Sequence, residues 1–400
     1  MAEKQTLCYL GYCVNESDAN NLSGASIAGN NMQLNVLRQL NDCSLFDVHC
    51  FTIYPVASFP KDRSIYYTGK KISLIEGLYS IRVGFLNLPL IKQLSQAVML
   101  YSVSNKLLNQ NPNATIFTYN MFPQVGIPAW YLRKKYSHST LITLLADPPI
   151  DDMTNRRIVN KLLFALFFKI TRMLISKVDK LIVLNIKASK IYAPKVPSLL
   201  MEGGVSEDAN TLAHVPMANR KMVVVFSGRL IEYNGVIELI KAMDLISIDD
   251  VQLHIYGDGP LKEKVVFYTQ KTHRIKYMGY IYNNTVKQIQ RNAYLLVNPR
   301  PVDDPISQVT FPSKIFEYLV SGTPTLTTRL NGFTEEYLDK MFFAESNDPA
   351  EMAKKIDEIM NIPFDKLDDI AKKARNFVLK EKSWGRQMER VIDFIKEVES

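Results

Sequence analysis

The sequence predicts an α/β protein with two doubly wound parallel-sheet domains, and three observations support this fold class. Short apolar strand patterns alternate with helical patterns before residue 205 and again after residue 221, as in parallel sheets with helices on both faces. Between the two series, the segment SEDANTLAHVPMANRK (206–221) is polar and irregular, which is typical of a linker. With 400 residues, 47% of them hydrophobic and 22% charged, the chain is long enough for two globular domains.

The first series of elements runs from residue 6 to residue 201. Strand patterns occur at residues 6–12, 47–54, 114–120, 139–146, 180–185 and 198–201. Helical patterns occur at residues 32–40, 91–109 and 124–136. The loop at residues 15–31 contains Gly24 and Gly29, which would let a backbone approach a ligand. Their spacing is not that of a dinucleotide-binding loop, and a loop without a ligand stays an alternative.

Asp147 follows the strongly apolar strand pattern STLITLLA (139–146) and precedes two prolines. Ligands of open α/β sheets bind outside the carboxyl ends of the strands, so Asp147 is a candidate site residue. A turn residue before the prolines is the other interpretation.

Residues 154–195 are the most basic part of the chain, with ten Lys or Arg and one acid, Asp179. They include the apolar run LLFALFF (162–168). Such a helix can lie in a membrane interface with its cations at the headgroups, or it can pack on the sheet with a solvated basic side. The net charge of +8 and the pI of about 9.0 predict an anionic partner: nucleic acid, a membrane or a phosphorylated substrate. No apolar run reaches the roughly 18 residues that span a bilayer.

All four cysteines lie in the first fifty residues, at positions 8, 13, 43 and 50. Their spacing is not that of zinc ligands, and no basic-then-apolar leader pattern precedes them. We therefore expect buried, reduced thiols in a cytoplasmic protein. The acidic pairs Asp151-Asp152 and Asp303-Asp304 look like turns, so no metal site is expected.

The second series of elements begins at residue 222. Its strand patterns occur at residues 222–227, 252–256, 275–279 and 294–298. Its helical patterns occur at residues 236–246, 261–272 and 285–293, and three terminal helices are expected at residues 348–360, 365–381 and 386–398.

The segment FPSKIFEYLVSGTPTLTT (311–328) is expected to form a helix and then a strand. Pro312 and Ser313 suit a first helical turn, with the Ser313 hydroxyl as a cap. Ser321-Gly322 ends the helix, and residues 325–328 form the strand. The residues expected to face the core are Ile315, Phe316, Leu319 and Val320.

The opposite face of this helix is expected to carry Ser313, Lys314, Glu317 and Tyr318. Free N–H groups, a hydroxyl and a lysine at a helix start bind phosphate well, and the Glu317 carboxylate can hold sugar hydroxyls. The alternative is an ordinary βα unit with Glu317 in solvent.

Two further loops of the second half begin at strand ends and carry residues suited to ligand binding. One runs from Gly228-Arg229 to Asn234-Gly235, and the other is Gly257-Asp258-Gly259. With the 311–328 segment they can converge on one crevice. There, arginine and helix N-termini would hold a diphosphate and a carboxylate would hold a ribose.

The order of these segments resembles the retaining nucleotide-sugar glycosyltransferases of family 4. The resemblance is clear over residues 222–360 and rests on four segments: VVVFSGRLIEYNGVIELIKAM, VQLHIYGDGP, IKYMGYIYNNTVKQIQRNAYLLVNPR and FPSKIFEYLVSGTPTLTT. It implies a GT-B fold, with two Rossmann-like domains facing a cleft. The implied domains are residues 1–205 for the acceptor and membrane, residues 206–375 for the nucleotide sugar, and residues 376–400 as a helix returning to the first domain.

The resemblance also implies roles for single residues. Arg229 would meet the donor diphosphate, Glu317 would hold the ribose, and Ser313 and Lys314 would lie beside the phosphates. Backbone groups at Gly279-Tyr280 would contact the base. Gly228 and Gly257 would complete the donor site, and Asp147 matches a position near the sugar.

Two positions depart from the family pattern. Asn234 replaces the usual lysine, and Lys314 is expected to supply the missing charge. Val309 replaces the first of two glutamates, so Ser307, Gln308, Asp303 or backbone groups would hold the sugar hydroxyls.

The implied activity is metal-independent, cofactor-free transfer of a sugar with retention, from a nucleoside-diphosphate sugar, UDP favoured, to a glycan or lipid-linked acceptor. Surface polysaccharide or glycolipid synthesis at the inner face of the membrane is the expected setting, with no nucleic-acid partner. A nucleotide-sugar 2-epimerase and a non-catalytic binding subunit stay as alternatives.

Overall fold

A computed structural model describes residues 4–397 except 20–25, 151–157, 207–214 and 282. The chain divides into two compact units, one of Met1–Gly203 with Gln387–Ser400 and the other of Gly204–Arg386. Gly24 and the pair Asp151-Asp152 lie outside the described residues. The predicted functional boundaries at residues 205 and 375 stay a proposal.

The first unit is built on an eight-stranded sheet with helices around it. The strands of this unit are β1 Gln5–Gly11, β2 Phe46–Thr52, β3 Tyr66–Tyr67, β4 Lys70–Ile75, β5 Leu78–Arg82, β6 Phe85–Leu86, β7 Thr115–Tyr119, β8 Thr140–Leu145, β9 Lys180–Val183 and β10 Ser198–Leu200. Strands β3 and β6 form a separate short pair, and the other eight form the sheet. Its first six helices are α1 Glu16–Ala19, α2 Ile27–Asp42, α3 Ile91–Gln110, α4 Pro123–Lys135, α5 Ile158–Ile175 and α6 Ile186–Tyr192.

The strand order of this sheet is β10-β9-β8-β7-β1-β2-β5-β4. All neighbours pair in parallel except the edge hairpin β4–β5. The chain order reverses between β1 and β7, so the topological switch point lies there. All residues of β7 are buried, as expected for a central strand covered on both faces.

The second unit contains a fully parallel six-stranded sheet in the order β13-β12-β11-β14-β15-β16. Its strands are β11 Val223–Ser227, β12 Gln252–Tyr256, β13 Ile275–Gly279, β14 Leu295–Asn298, β15 Thr325–Thr328 and β16 Phe342–Ala344. The remaining helices of the chain are α7 Val236–Met243, α8 Lys262–Thr269, α9 Asn283–Asn292, α10 Pro305–Val309, α11 Lys314–Val320, α12 Pro349–Met360, α13 Phe364–Glu381 and α14 Trp384–Lys396.

The predicted pair of parallel α/β sheets is confirmed. Every predicted strand is present, and the largest error at either end is two residues. Sequence analysis missed the strands β3–β6 and β16 and the helices α1, α6 and α10. Most of these segments are too short to show a periodicity, and the edge strands β4 and β5 alternate irregularly between exposed and buried residues. Helices α7 and α8 end three residues before their predicted ends.

Three of the four cysteines are buried and Cys43 is half-buried, and none forms a disulfide. The expectation that all four thiols are buried is therefore wrong for Cys43. In the part of the chain that the structure describes, no helix has both the length and the apolar character to cross a membrane.

Candidate functional site

The loops after β11, β12 and β13 lie side by side at the carboxyl edge of the second sheet. The Gly228 N–H donates to the Tyr256 carbonyl oxygen at 3.0 Å, and the Gly257 N–H donates to the Gly279 carbonyl oxygen at 2.9 Å. The predicted donor residues Gly228, Gly257 and Gly279 thus lie at three adjacent strand ends that are joined by backbone hydrogen bonds.

Gly257 is required where these loops meet. Its φ is +142°, and a Cβ atom there would lie 1.8 Å from the Gly228 carbonyl oxygen. A Cβ at Gly235, with φ of +70°, would lie 1.7 Å from the Pro299 carbonyl oxygen. Side chains are excluded at both positions, so the backbone of these loops keeps its close approach.

Tyr318 attaches helix α11 to the end of β11. Its hydroxyl accepts from the Ser227 N–H at 3.2 Å and contacts the Ser227 carbonyl oxygen at 3.2 Å. Tyr318 is 1% exposed, so its placement on the exposed face beside Glu317 is wrong. Val320, expected in the core, is half-buried. The seven-residue helix is rotated so that Tyr318 takes the buried position.

Lys314 and Glu317 form an ion pair on the accessible side of α11. Lys314 Nζ lies 2.8 Å from Glu317 Oε2, with the two side chains 34% and 43% exposed. Burial lowers the pKa of Lys314, but the Glu317 carboxylate, followed by Tyr318 and Tyr280, outweighs burial and leaves the pKa above its ordinary value. Lys314 is therefore a cation held at the site.

Gln290 connects this ion pair to the strand end. Its Nε2 atom donates to Ser227 Oγ at 3.1 Å and lies 3.5 Å from Glu317 Oε2. Gln290 is buried, and sequence analysis missed it because its helical pattern gave no sign of which sheet edge it reaches.

Ser313 does not cap α11. It has right-handed helical backbone angles, its side chain makes no capping hydrogen bond, and the residue is exposed. The predicted hydroxyl cap is wrong, because a capping hydroxyl requires extended backbone angles at the cap position. The Ser313 hydroxyl stays beside Lys314 on the accessible surface.

Arg229 is exposed directly after the strand end, and Asn234 supports the loop that carries it. The Asn234 Nδ2 atom donates to the Arg229 carbonyl oxygen at 2.8 Å. The amide that stands in place of the family lysine therefore fixes the backbone of Arg229.

Val309 is buried at the end of α10. Of its predicted substitutes, Gln308 is already hydrogen-bonded to the Val302 carbonyl group and to Asn331. Ser307 is buried, and its Oγ atom has no hydrogen-bond partner among the described residues. Ser307 is therefore better suited than Gln308 to accept a hydrogen bond from a hydroxyl group of the ligand.

Arg300 follows β14 and is a further cation at this edge, which sequence analysis missed. Its guanidinium carbon lies 5.6 Å from the centre of the Tyr233 ring. Burial lowers the pKa of Arg300, while Tyr233, Asp304 and Tyr318 oppose that effect. The strand-end rule applied to Asn298-Pro299-Arg300 would have found it.

The first unit has a polar cavity of about 280 Å³ at the carboxyl ends of β1, β2, β7 and β8. It lies at the switch point of that sheet, where open α/β sheets bind ligands. Both Asp147 and Gly29 line it. Gly29 lies in the first turn of α2, capped by the Ser26 hydroxyl at 3.2 Å, and not in the predicted loop.

Asn120 fixes Asp147 in this cavity. Asn120 has a φ of +60°, its Nδ2 donates to Asp147 Oδ2 at 2.9 Å, and its Oδ1 accepts from the Asp147 N–H at 2.9 Å. Burial raises the pKa of Asp147, and the Asn120 hydrogen bond partly offsets this effect. Positive φ at a non-glycine residue is a strain that often accompanies function, but it leaves no mark in a sequence.

Residues 221–361 match the family model described as glycosyl transferases group 1. A search of curated proteins found no match.

Solved structures of several glycosyl-transferring enzymes have the same fold. A sucrose-phosphate synthase from Thermosynechococcus elongatus superimposes with a TM-score of 0.68 at 15% identity, over 98% of this chain and 99% of that one. Alr3699/HepE from Anabaena, crystallised with UDP, gives 0.65 at 13% identity, over 98% and 100%. A glycosyltransferase from Rickettsia africae gives 0.63 at 15% identity, over 98% of each chain.

The matched residues 221–361 contain the strand-end loops, Arg229, and the Lys314–Glu317 pair. Residues 221–361 therefore match the group 1 glycosyl transferases, and the two parallel sheets have the GT-B fold of these solved structures.

Proposed function

We infer that this enzyme moves a sugar from a UDP-sugar held by the second unit to a glycan or lipid-linked acceptor. The Lys314–Glu317 pair carries the proposal, because it sets a cation and a carboxylate beside three strand-end loops. The UDP in the Anabaena structure supports uracil as the base of the donor.

The donor would be held by groups of complementary chemistry. Glu317 would accept hydrogen bonds from the ribose hydroxyls, and Arg229 and Lys314 would meet the diphosphate. Gly257 lets its loop pack against Gly228, the absence of a side chain at Gly228 would leave room for the phosphates, and the backbone at Gly279-Tyr280 would contact the base. Ser313 would add a hydroxyl beside Lys314.

The chemical step exchanges one bond at the anomeric carbon for another on the same face. The bond to the diphosphate oxygen breaks, the acceptor oxygen bonds to the carbon, and the acceptor proton passes to the departing diphosphate. Negative charge grows on the diphosphate as its bond breaks, so cations already fixed beside it stabilise the transition state. Arg229 and Lys314 would supply them, with Asn234 holding the Arg229 loop.

Asp147 would act from the first unit by accepting a hydrogen bond from a sugar hydroxyl. Its cavity and its fixation by Asn120 support this role. Gly29 also lines this cavity, and a Cβ there would approach the Tyr119 hydroxyl oxygen to 2.9 Å.

Peripheral contact with an anionic membrane is the proposed setting for surface polysaccharide or glycolipid synthesis. Helix α5 exposes Leu162, Leu163 and Leu166, and it also exposes Lys169 and Arg172. Apolar side chains that enter an interface next to cations that meet headgroups are typical of peripheral binding.

A panel of UDP-, GDP- and ADP-sugars tests the proposal through release of nucleoside diphosphate with and without acceptor. We expect release from a UDP-sugar that rises with acceptor and falls in Glu317→Gln, but not in Glu263→Gln on the exposed side of α8. Conversion of the donor to its 2-epimer without acceptor would instead support an epimerase. Donor binding without any turnover would support a non-catalytic subunit.

A further inference from the structure

A long apolar groove runs between helices α3, α4 and α5 of the first unit, with a volume of about 900 Å³. Its lining includes Leu94, Val98, Leu163 and Leu166, and Leu94 and Leu166 are 66% and 55% exposed. Apolar surface of this extent, arranged as a groove, marks a binding site for an apolar partner.

The groove borders the polar cavity that contains Asp147. Gln93 and Gln124 line both spaces, so the apolar surface ends where the polar cavity begins. A molecule that fills both has an apolar chain at one end and a polar head at the other.

The polar cavity also has hydrogen-bonding groups left for such a head. Tyr12 Oη, Asn30 Nδ2 and Gln124 Oε1 are buried and have no hydrogen-bond partner among the described residues. All three residues line the cavity. Buried polar groups without partners cost free energy, so a ligand or water that pairs with them is stabilised there.

The charge of the surrounding helices indicates which chemical group joins the apolar chain to the polar head. No Asp or Glu occurs in α3, α4 or α5. Among the described side chains their cations are Lys92, Lys106, Arg133, Lys134, Lys135, Lys169 and Arg172. Lys92 lines the polar cavity, and Arg133 is paired with Asp179. An anionic group such as a phosphate is favoured next to this surface, and a cationic amphiphile is disfavoured.

From these observations we propose that the acceptor is a lipid-linked molecule whose apolar chain lies in the groove. A phosphate joins the chain to the polar head, which enters the cavity beside Asp147. The inference rests on the proposed glycosyl transfer and narrows its acceptor from a glycan or a lipid to an anionic lipid.

Binding of alkyl phosphates to the full chain, without donor, tests the groove separately from transfer. Calorimetric titration uses butyl, octyl and dodecyl phosphate below their micelle concentrations. We expect affinity to rise by about fourfold for each methylene that enters the groove. Dodecyl phosphate should also bind more tightly than dodecyltrimethylammonium.

Matched variants locate the binding. Leu94→Gln and Leu166→Gln place an amide in the groove at exposed positions, and each is expected to weaken dodecyl phosphate binding at least about tenfold. Met99→Gln on α3 and Met173→Gln on α5 are also exposed but lie outside the lining, and should bind as the unaltered protein does. Circular dichroism and thermal unfolding check the fold of all four.

Affinity that does not depend on chain length, or equal loss in the control variants, would overturn the inference. So would capture by phospholipid vesicles without binding of monomeric alkyl phosphates, since the groove would then be only a membrane contact. Failure of the proposed function has a different signature. No donor would then give nucleoside diphosphate release, while alkyl phosphates would still bind.

Discussion

At the scale of single residues, the proposed activity depends on charged groups at the carboxyl edge of the second sheet. Glu317→Ala and Arg229→Ala are each expected to lower activity at least about tenfold, since a hydrogen bond to a charged group contributes about 1.5–3 kcal/mol. Steady-state kinetics with the donor measures this. Glu263→Ala, an exposed acid on α8, is the control, and full turnover by a folded Glu317 or Arg229 variant would remove that residue from the site.

Lys314 is the proposed replacement for the family lysine that Asn234 displaces. In Lys314→Gln, kcat should fall clearly more than donor affinity, because the charge on the diphosphate grows towards the transition state. Adding Asn234→Lys should restore part of the rate, though it also removes the amide that holds the Arg229 carbonyl group. The hypothesis fails if kcat of folded Lys314→Gln is unchanged with a known donor.

The raised pKa of Asp147 predicts how the free energy of unfolding depends on pH. Burial raises its pKa above 3.8, so the folded protein binds a proton more tightly than the unfolded chain. The Asp147 contribution to the free energy of unfolding therefore falls as the pH rises through the interval between the ordinary and the raised pKa. Asp147→Asn keeps an oxygen for Asn120 and carries no charge.

We expect Asp147→Asn to have a higher Tm than the unaltered protein at pH 7, with the difference shrinking as the pH is lowered towards 4. Thermal unfolding at a series of pH values measures this. A variant that is less stable at every pH would show that the ionised carboxylate is stabilised by its surroundings.

At the scale of elements, the packing of the loops after β11 and β12 depends on Gly257. Gly257→Ala is expected to lower the free energy of unfolding by about 3 kcal/mol or more, because its Cβ overlaps the Gly228 carbonyl oxygen. Gly279→Ala is the matched control. Its φ is also positive, at +79°, but no atom lies within 4 Å of the added Cβ, so about 1–2 kcal/mol is expected.

Urea unfolding of both variants gives the comparison. Equal losses would mean that backbone strain alone decides stability at the two positions, and that the contact between the two loops is not needed.

The elements also explain how far the sequence could be interpreted. Central strands such as β7 and β8 were predictable because burial on both faces makes them continuous apolar runs. Helix α11 was predictable in position but not in rotation, since in seven residues Tyr318 fits either face until its hydroxyl bond to Ser227 is known. Gln290 and Asn120 escaped notice because their partners are distant in sequence, whereas Arg300 follows a predicted strand end and could have been found.

At the scale of the whole molecule, the surface charge predicts membrane association through α5. Flotation with anionic liposomes at low salt is expected to carry the protein, whereas neutral liposomes or high salt should carry less, because screening weakens attraction to headgroups. Lys169→Gln together with Arg172→Gln should weaken flotation, and Lys262→Gln with Lys264→Gln on α8 is the control. Absence from both liposome fractions would leave α5 as a helix that packs on the sheet.

The central claim is transfer of a sugar with retention at the site of Glu317, Lys314 and Arg229. Proton NMR of the product formed from an α-linked UDP-sugar tests it most directly, because the anomeric coupling constant reports the configuration of the new bond. We expect the unaltered protein to form an α-linked product, and Glu317→Ala to form it at least about tenfold more slowly. A β-linked product, or an equal rate with that variant, would contradict it.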